Sequence, residues 1–155
     1  MILAGTGPRG GGGIDKMATI VGGAYAKAAL TRSDPRNFLF FPRTPEGKKA
    51  ASDYLDRLAE RTQYRDTKIS LQARIAQIKA IRHAGRSQPD DLSVINQPVF
   101  VANGDHDLMV DSAHSADMAR RLPNAQLKIY PNSGHVGVFQ HHQTFVPDAL
   151  QFLAN

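Results

Sequence analysis

The 155-residue chain contains no cysteine and no tryptophan. Without cysteine there is no disulfide framework, no thiolate nucleophile and no thiolate zinc site, so any reactivity must come from oxygen and nitrogen groups. No stretch approaches the roughly 18 consecutive apolar residues of a membrane span. The N-terminus lacks the charged-then-apolar order of a signal peptide, so the expectation is a cytoplasmic protein with no membrane partner. Charge of neither sign dominates: 19 Lys and Arg face 14 Asp and Glu, a formal net charge of +5. With 41% hydrophobic and 21% charged residues the composition is that of a folded globular chain, not a disordered one.

The opening "MILAGTGPRGGGGID" spells GxGxxG at Gly5, Gly7 and Gly10. A dinucleotide cradle needs a helix starting at the loop and an acidic residue ending the next strand. Here Pro8 and the glycines Gly10 to Gly13 follow instead, and the next 20 residues hold a helix-like stretch, so Asp34 has no strand to end. The reading is a short strand, Met1 to Ala4, leaving through a flexible glycine-rich turn, and no cofactor is expected.

Three helices are expected next. Ile14 to Leu30 carries Met17, Ile20, Val21, Tyr25 and Leu30 as its bulky members, weakened by Gly22 and Gly23. After an apolar loop at Phe38 to Pro42, Thr44 and Pro45 supply an N-cap and a first-turn proline. The helix they open runs to about Thr62, with Ala51, Tyr54, Leu55 and Leu58 on one face. A third, Ser70 to Ala84, would bury Leu71, Ile75, Ile78 and Ile81 and stop at Gly85. The many Lys and Arg of the second and third helices alternate with Asp53, Asp56, Glu60 and Asp66 as on a solvated face, so nucleic acid is not the expected partner.

After Gly85 the pattern changes to strand (Pro98 to Ala102), helix (Ser112 to Leu122, capped by Asp111), strand (Leu127 to Tyr130) and helix (from His142). That order predicts an α/β fold with parallel strands. "VANGDHDLMV" then puts Asp105 and Asp107 at the carboxyl end of a strand, where open α/β sheets hold their ligands. An aspartyl nucleophile with magnesium would need later lysine and acidic motifs, and the roughly 50 residues that remain hold no such acidic pair. A carboxylate that orients a histidine has its partner in "YPNSGHVGVFQ": His135 lies 28 residues beyond Asp107, just after the next strand. Neighbouring parallel strands would bring the two together, leaving one imidazole nitrogen free as a general base. His141 and His142 are adjacent and point to different sides of a helix, so no metal is expected.

The last third, from "PVFVANGDHDLMV" to "YPNSGHVGVFQHH", resembles the C-terminal end of the α/β-hydrolase superfamily, with its GxxD acid loop and SGH histidine loop. The resemblance makes Asp107 the triad acid and His135 its base, and divides the chain into a core strand with glycine loop (1–13), a helical lid (14–92) and the C-terminal part of the core (93–155). It implies a partial α/β-hydrolase fold: a few-stranded parallel sheet with flanking helices and a helical lid. A small-molecule substrate would bind, partly against lid residues Tyr25, Phe38, Phe40 and Phe41. No GxSxG spelling of the nucleophile elbow occurs, and Ser112 and Ser133 do not sit on such a turn. The resemblance therefore implies a C-terminal half, with His and Asp but no nucleophile, inactive alone and completed by an N-terminal half. The exposed sheet edge would drive homo-oligomerisation. The competing expectation is a non-catalytic self-associating or interaction module.

Overall fold

The structure is a computed structural model and describes residues 1–67, 69–135 and 137–154. Three parallel strands, β1 (Ile2–Ala4), β2 (Val99–Gly104) and β3 (Ala125–Tyr130), lie in the order β1-β2-β3. Ile2 pairs with Phe100, and β2 is in register with β3 from Val99 opposite Ala125 to Gly104 opposite Tyr130.

The period of two along β2 builds two cores. Val99 and Val101 point to one face and pack with Met118 of α5 (Ser112–Arg121) and with Leu122 just after it. Phe100 and Ala102 point to the other, where Tyr130 and Ala149 meet them. Ala149 belongs to α7 (His142–Ala154), which follows the short α6 (Gly137–Gln140) and whose Phe145 and Phe152 rings lie 6.2 and 5.7 Å from the Phe100 ring. Every residue of β2 is buried, as a central parallel strand covered on both faces should be.

Between β1 and β2 the chain is helical: a 3-10 turn (Ile14–Lys16), α1 (Met17–Thr31), α2 (Arg36–Leu39), α3 (Pro45–Glu60), α4 (Leu71–Arg86) and a 3-10 turn at Leu92–Val94. The caps predicted at Thr44 and Asp111 form, with Thr44 Oγ1 accepting from Gly47 N at 3.0 Å and Asp111 Oδ1 from Ala113 N at 2.8 Å; Ser70, read as the first residue of its helix, is instead its cap, its Oγ accepting from Ala73 N at 3.1 Å.

Four details differ from the sequence reading. Residues 36–39, expected as loop, form the short helix α2, started by Pro35 and by Asp34 Oδ1 accepting from Arg36 N at 2.8 Å. Gly85 is not a stop but lies inside α4. A Cβ there would come 2.8 Å from Asp15 N, so glycine admits the 3-10 turn against the helix, which ends at Arg86 with Ser87 beyond it.

The apolar stripe of α4 is not a core face: Leu71 is 71% and Ile75 44% exposed, and no residue of the helix is buried. On α1 the buried positions are the small Ala24 and Ala28, while Tyr25 and Leu30 face outward. Small side chains allow close helix approach, and bulky ones are displaced from the contact.

The opening glycines make sharp turns, with φ of +57° at Gly5, +74° at Gly10 and +87° at Gly13. They are also held in place: Gly10 N donates to Ala84 O at 2.9 Å, and His114 Nε2 lies 2.9 Å from Gly12 O.

Candidate active site

The loops after β2 and β3 meet at one end of the sheet. The side chain of Asp107 is fully buried, and its Oδ1 accepts from Met109 N at 2.8 Å and Val110 N at 2.9 Å. This tight turn aims Oδ2 at the neighbouring loop, where it lies 2.9 Å from His135 Nδ1. A carboxylate can only accept, so Nδ1 carries the proton and Nε2 holds the lone pair. Nε2 makes no hydrogen bond among the described residues, and His135 lines an open cavity of about 630 Å³ bounded by the Gly5–Arg9 loop, Met17, Ile81 and Met109.

Asp105 has a different task. Its Oδ1 accepts from Ser133 N at 3.0 Å across the loops and lies 2.6 Å from His106 Nδ1. Burial pushes its carboxyl upward, but the hydrogen bonds from His106 and from the Ser133 and Asn132 amides outweigh this and hold it below the usual carboxylate range. Asp105 therefore ties the acid loop to the histidine loop, with His106 N donating to Ser133 O at 2.9 Å beside it.

Glycines permit the contact. A Cβ on Gly104 would sit 2.3 Å from Ser133 O, and one on Gly134 would sit 2.3 Å from Phe40 O. Gly5, at positive φ, brings its backbone against His135, where a Cβ would lie 3.0 Å from the histidine's carbonyl oxygen. Ser133 is fully buried and its Oγ donates to Tyr130 O at 3.0 Å. It is a structural hydroxyl of the turn, and Ser112 sits in the first turn of α5.

The four aromatic residues expected along a substrate site divide. Phe40 reaches His135, with ring centroids 5.7 Å apart. Phe40 and Tyr25 line a cavity of about 330 Å³, which shares Met17, Gln77, Ile81 and Met109 with the space before His135. Phe41 does not face that space: it is 3% exposed, packed against Ala51 and 5.6 Å from the Tyr54 ring. Phe38 turns to a separate cavity between α1 and α3. Successive residues around the turn point in different directions, which an aromatic cluster in sequence cannot reveal.

His141 and His142 are engaged elsewhere, His141 Nε2 lying 3.1 Å from Pro131 O and His142 Nδ1 3.0 Å from Phe139 O. Among the described residues no three His, Asp or Glu side chains are grouped to hold a metal ion, and no helix is long and apolar enough to cross a membrane. The linking residues, Asp105, Gly5 and Phe40's backbone, were not legible as such. Their only signal was glycine at the turn beside each functional residue.

Known proteins resemble this chain in sequence and in fold. A sequence profile of the alpha/beta hydrolase fold matches residues 17–142. The chain is 36% identical over 85 residues to a non-heme haloperoxidase of Rhodococcus erythropolis, covering 54% of this chain and 30% of that protein. A solved alpha/beta hydrolase fold protein from Chitinophaga pinensis superposes with a TM-score of 0.89 at 30% identity, over 98% of this chain and 55% of that one. An esterase from Exiguobacterium antarcticum shares the fold, with a TM-score of 0.66 at 16% identity over 99% of this chain and 56% of its own. The chain thus spans about half the length of these solved structures.

Proposed function

The chain belongs to the α/β-hydrolase fold family, and from that membership we propose that it supplies the acid and the base of a Ser-His-Asp triad cleaving an ester or related acyl bond. One observation carries the reading: the 2.9 Å contact of His135 Nδ1 with buried Asp107, which leaves Nε2 unbonded before an open cavity.

Asp107 fixes the tautomer and favours the imidazolium that forms when Nε2 accepts a proton. That proton comes from a serine hydroxyl as its oxygen attacks the acyl carbon. His135 then gives it to the leaving oxygen, and a water repeats the sequence to release the acid and restore the serine. No residue of this sequence has the GxSxG setting for that serine. In this proposal it comes from sequence outside these 155 residues, and the chain alone turns over no ester.

Helices α1 to α4 act as a lid, and the apolar cavity beside Tyr25 and Phe40 receives the apolar part of the substrate. β1 bonds on one side only, to β2, among the described residues, and this open edge is where an N-terminal half or a second copy would add.

The test is a chimera carrying, ahead of Met1, the part of the Chitinophaga pinensis protein that this chain does not cover. The expected result is turnover of a short-chain nitrophenyl ester that His135→Ala abolishes. A folded chimera whose turnover ignores His135→Ala would overturn the proposal.

A further inference from the structure

A second cavity, of about 510 Å³, opens between α1, α2 and α3, away from His135. Its walls carry three cations, Lys27, Arg43 and Lys48, together with hydroxyls such as Thr31 and Ser52, and no acidic residue. Elsewhere on these helices cations find carboxylates: Lys49 reaches Asp53 at 2.7 Å and Arg36 reaches Asp34 at 2.6 Å. Lys27, Arg43 and Lys48 have no ion-pair partner among the described residues.

Two of them converge on one ring. Lys27 Nζ lies 5.1 Å and Arg43 Cζ 5.8 Å from the centroid of Phe38. The ring attracts each cation, and two positive charges without a carboxylate partner are thereby gathered in one wall of the cavity, where an anion would be stabilised. Phe38, Pro42 and Leu55 provide an apolar floor.

From this arrangement we infer that the cavity binds a small organic oxyanion, a phosphate or carboxylate held by Lys27, Arg43 and Lys48 whose apolar body lies against Phe38 and Leu55. The site is independent of the triad and of any nucleophile. Its size suits a small molecule, and Arg43 offers the bidentate fork that oxyanions favour.

Calorimetric titration of the chain with phenyl phosphate, benzoate, inorganic phosphate and phenol tests this. Phenyl phosphate or benzoate should bind more tightly than inorganic phosphate, and phenol should not bind. Arg43→Gln and Lys48→Gln, at exposed positions that do not endanger folding, should each weaken binding about tenfold, as should Lys27→Gln. Lys79→Gln, which removes an exposed cation of α4 outside the cavity, should leave binding unchanged. Absence of binding at millimolar phenyl phosphate and benzoate, or a loss in Lys79→Gln equal to that in Arg43→Gln, would overturn the inference.

Discussion

Gly104 and Gly134 touch backbone to backbone: a Cβ on Gly104 would lie 2.4 Å from the carbonyl oxygen of Gly134. Through this contact the end of β2 is pressed against the loop after β3, and Asp107 and His135 are held three residues and one residue beyond it. Gly134 is itself closed in by Phe40 on its other side. The acid, the base and the turn into α3 thus form one stack.

Gly104→Ala and Gly134→Ala should each cost about 1–3 kcal/mol, because the obstacles are backbone oxygens that cannot rotate away. Chemical denaturation measures this. Gly12→Ala is the control, since a Cβ there meets nothing within 4 Å.

In a chimera that turns over ester, Asp107→Asn should lower kcat by about 10³–10⁴, since an amide in that place no longer fixes the productive tautomer. Asp105→Asn should fall well short of that, because Asp105 ties the loops and bonds His106 and the Ser133 amide, not the imidazole of His135. Steady-state kinetics of the two variants separates a residue that orients the base from one that positions its loop.

The carboxyl of Asp34 is held below its ordinary range, chiefly by the Arg36 guanidinium, and that of Asp105 by the hydrogen bonds described above. A group with a lowered folded value stabilises the fold at pH above its unfolded value of about 3.9, and that contribution is lost as pH falls through the folded value. Stability should therefore be insensitive to these groups near neutrality and decline in acid below about pH 4. Denaturation midpoints of Asp34→Asn and Asp105→Asn across the acid range should show a shallower decline than the parent chain.

Met1 O accepts from Phe100 N and Gly5 N donates to Ala102 O, so alternate residues of β1 face β2 and the N–H of Ala4 points to the open side. A chain that associates through this edge should elute as an oligomer in size-exclusion with light scattering, and Ala4→Pro, which removes an outward donor without breaking a bond to β2, should shift it toward monomer. A parent chain that runs as a compact monomer would contradict association through β1.

Local chemistry made a good part of the fold legible. The caps at Thr44 and Asp111 act on amides only two or three residues away, and the apolar run at Val99 to Val101 is explained by burial on both faces. The glycine and acid spacing of "NGDHD" and "NSGH" announced two loops at strand ends. What misled was apolar content without a partner: Ile75 and Leu71 have helical spacing, yet α4 buries neither. Gly85 shows the converse, since the reason for glycine there is Asp15, 70 residues earlier.

By itself the sequence determined the strand-helix order, the helix starts and which carboxylate and imidazole sit on loops beyond β-strands, because these follow from periodicity and from hydrogen bonds between near neighbours. Only the tertiary structure decided that Asp105 ties the two loops together, that Phe40 and not Phe41 stands beside His135, and that Phe38 faces a cavity of its own. Those choices depend on the direction of a side chain across a packed interface, where one residue along the chain reverses the face and distant backbones fix the distance.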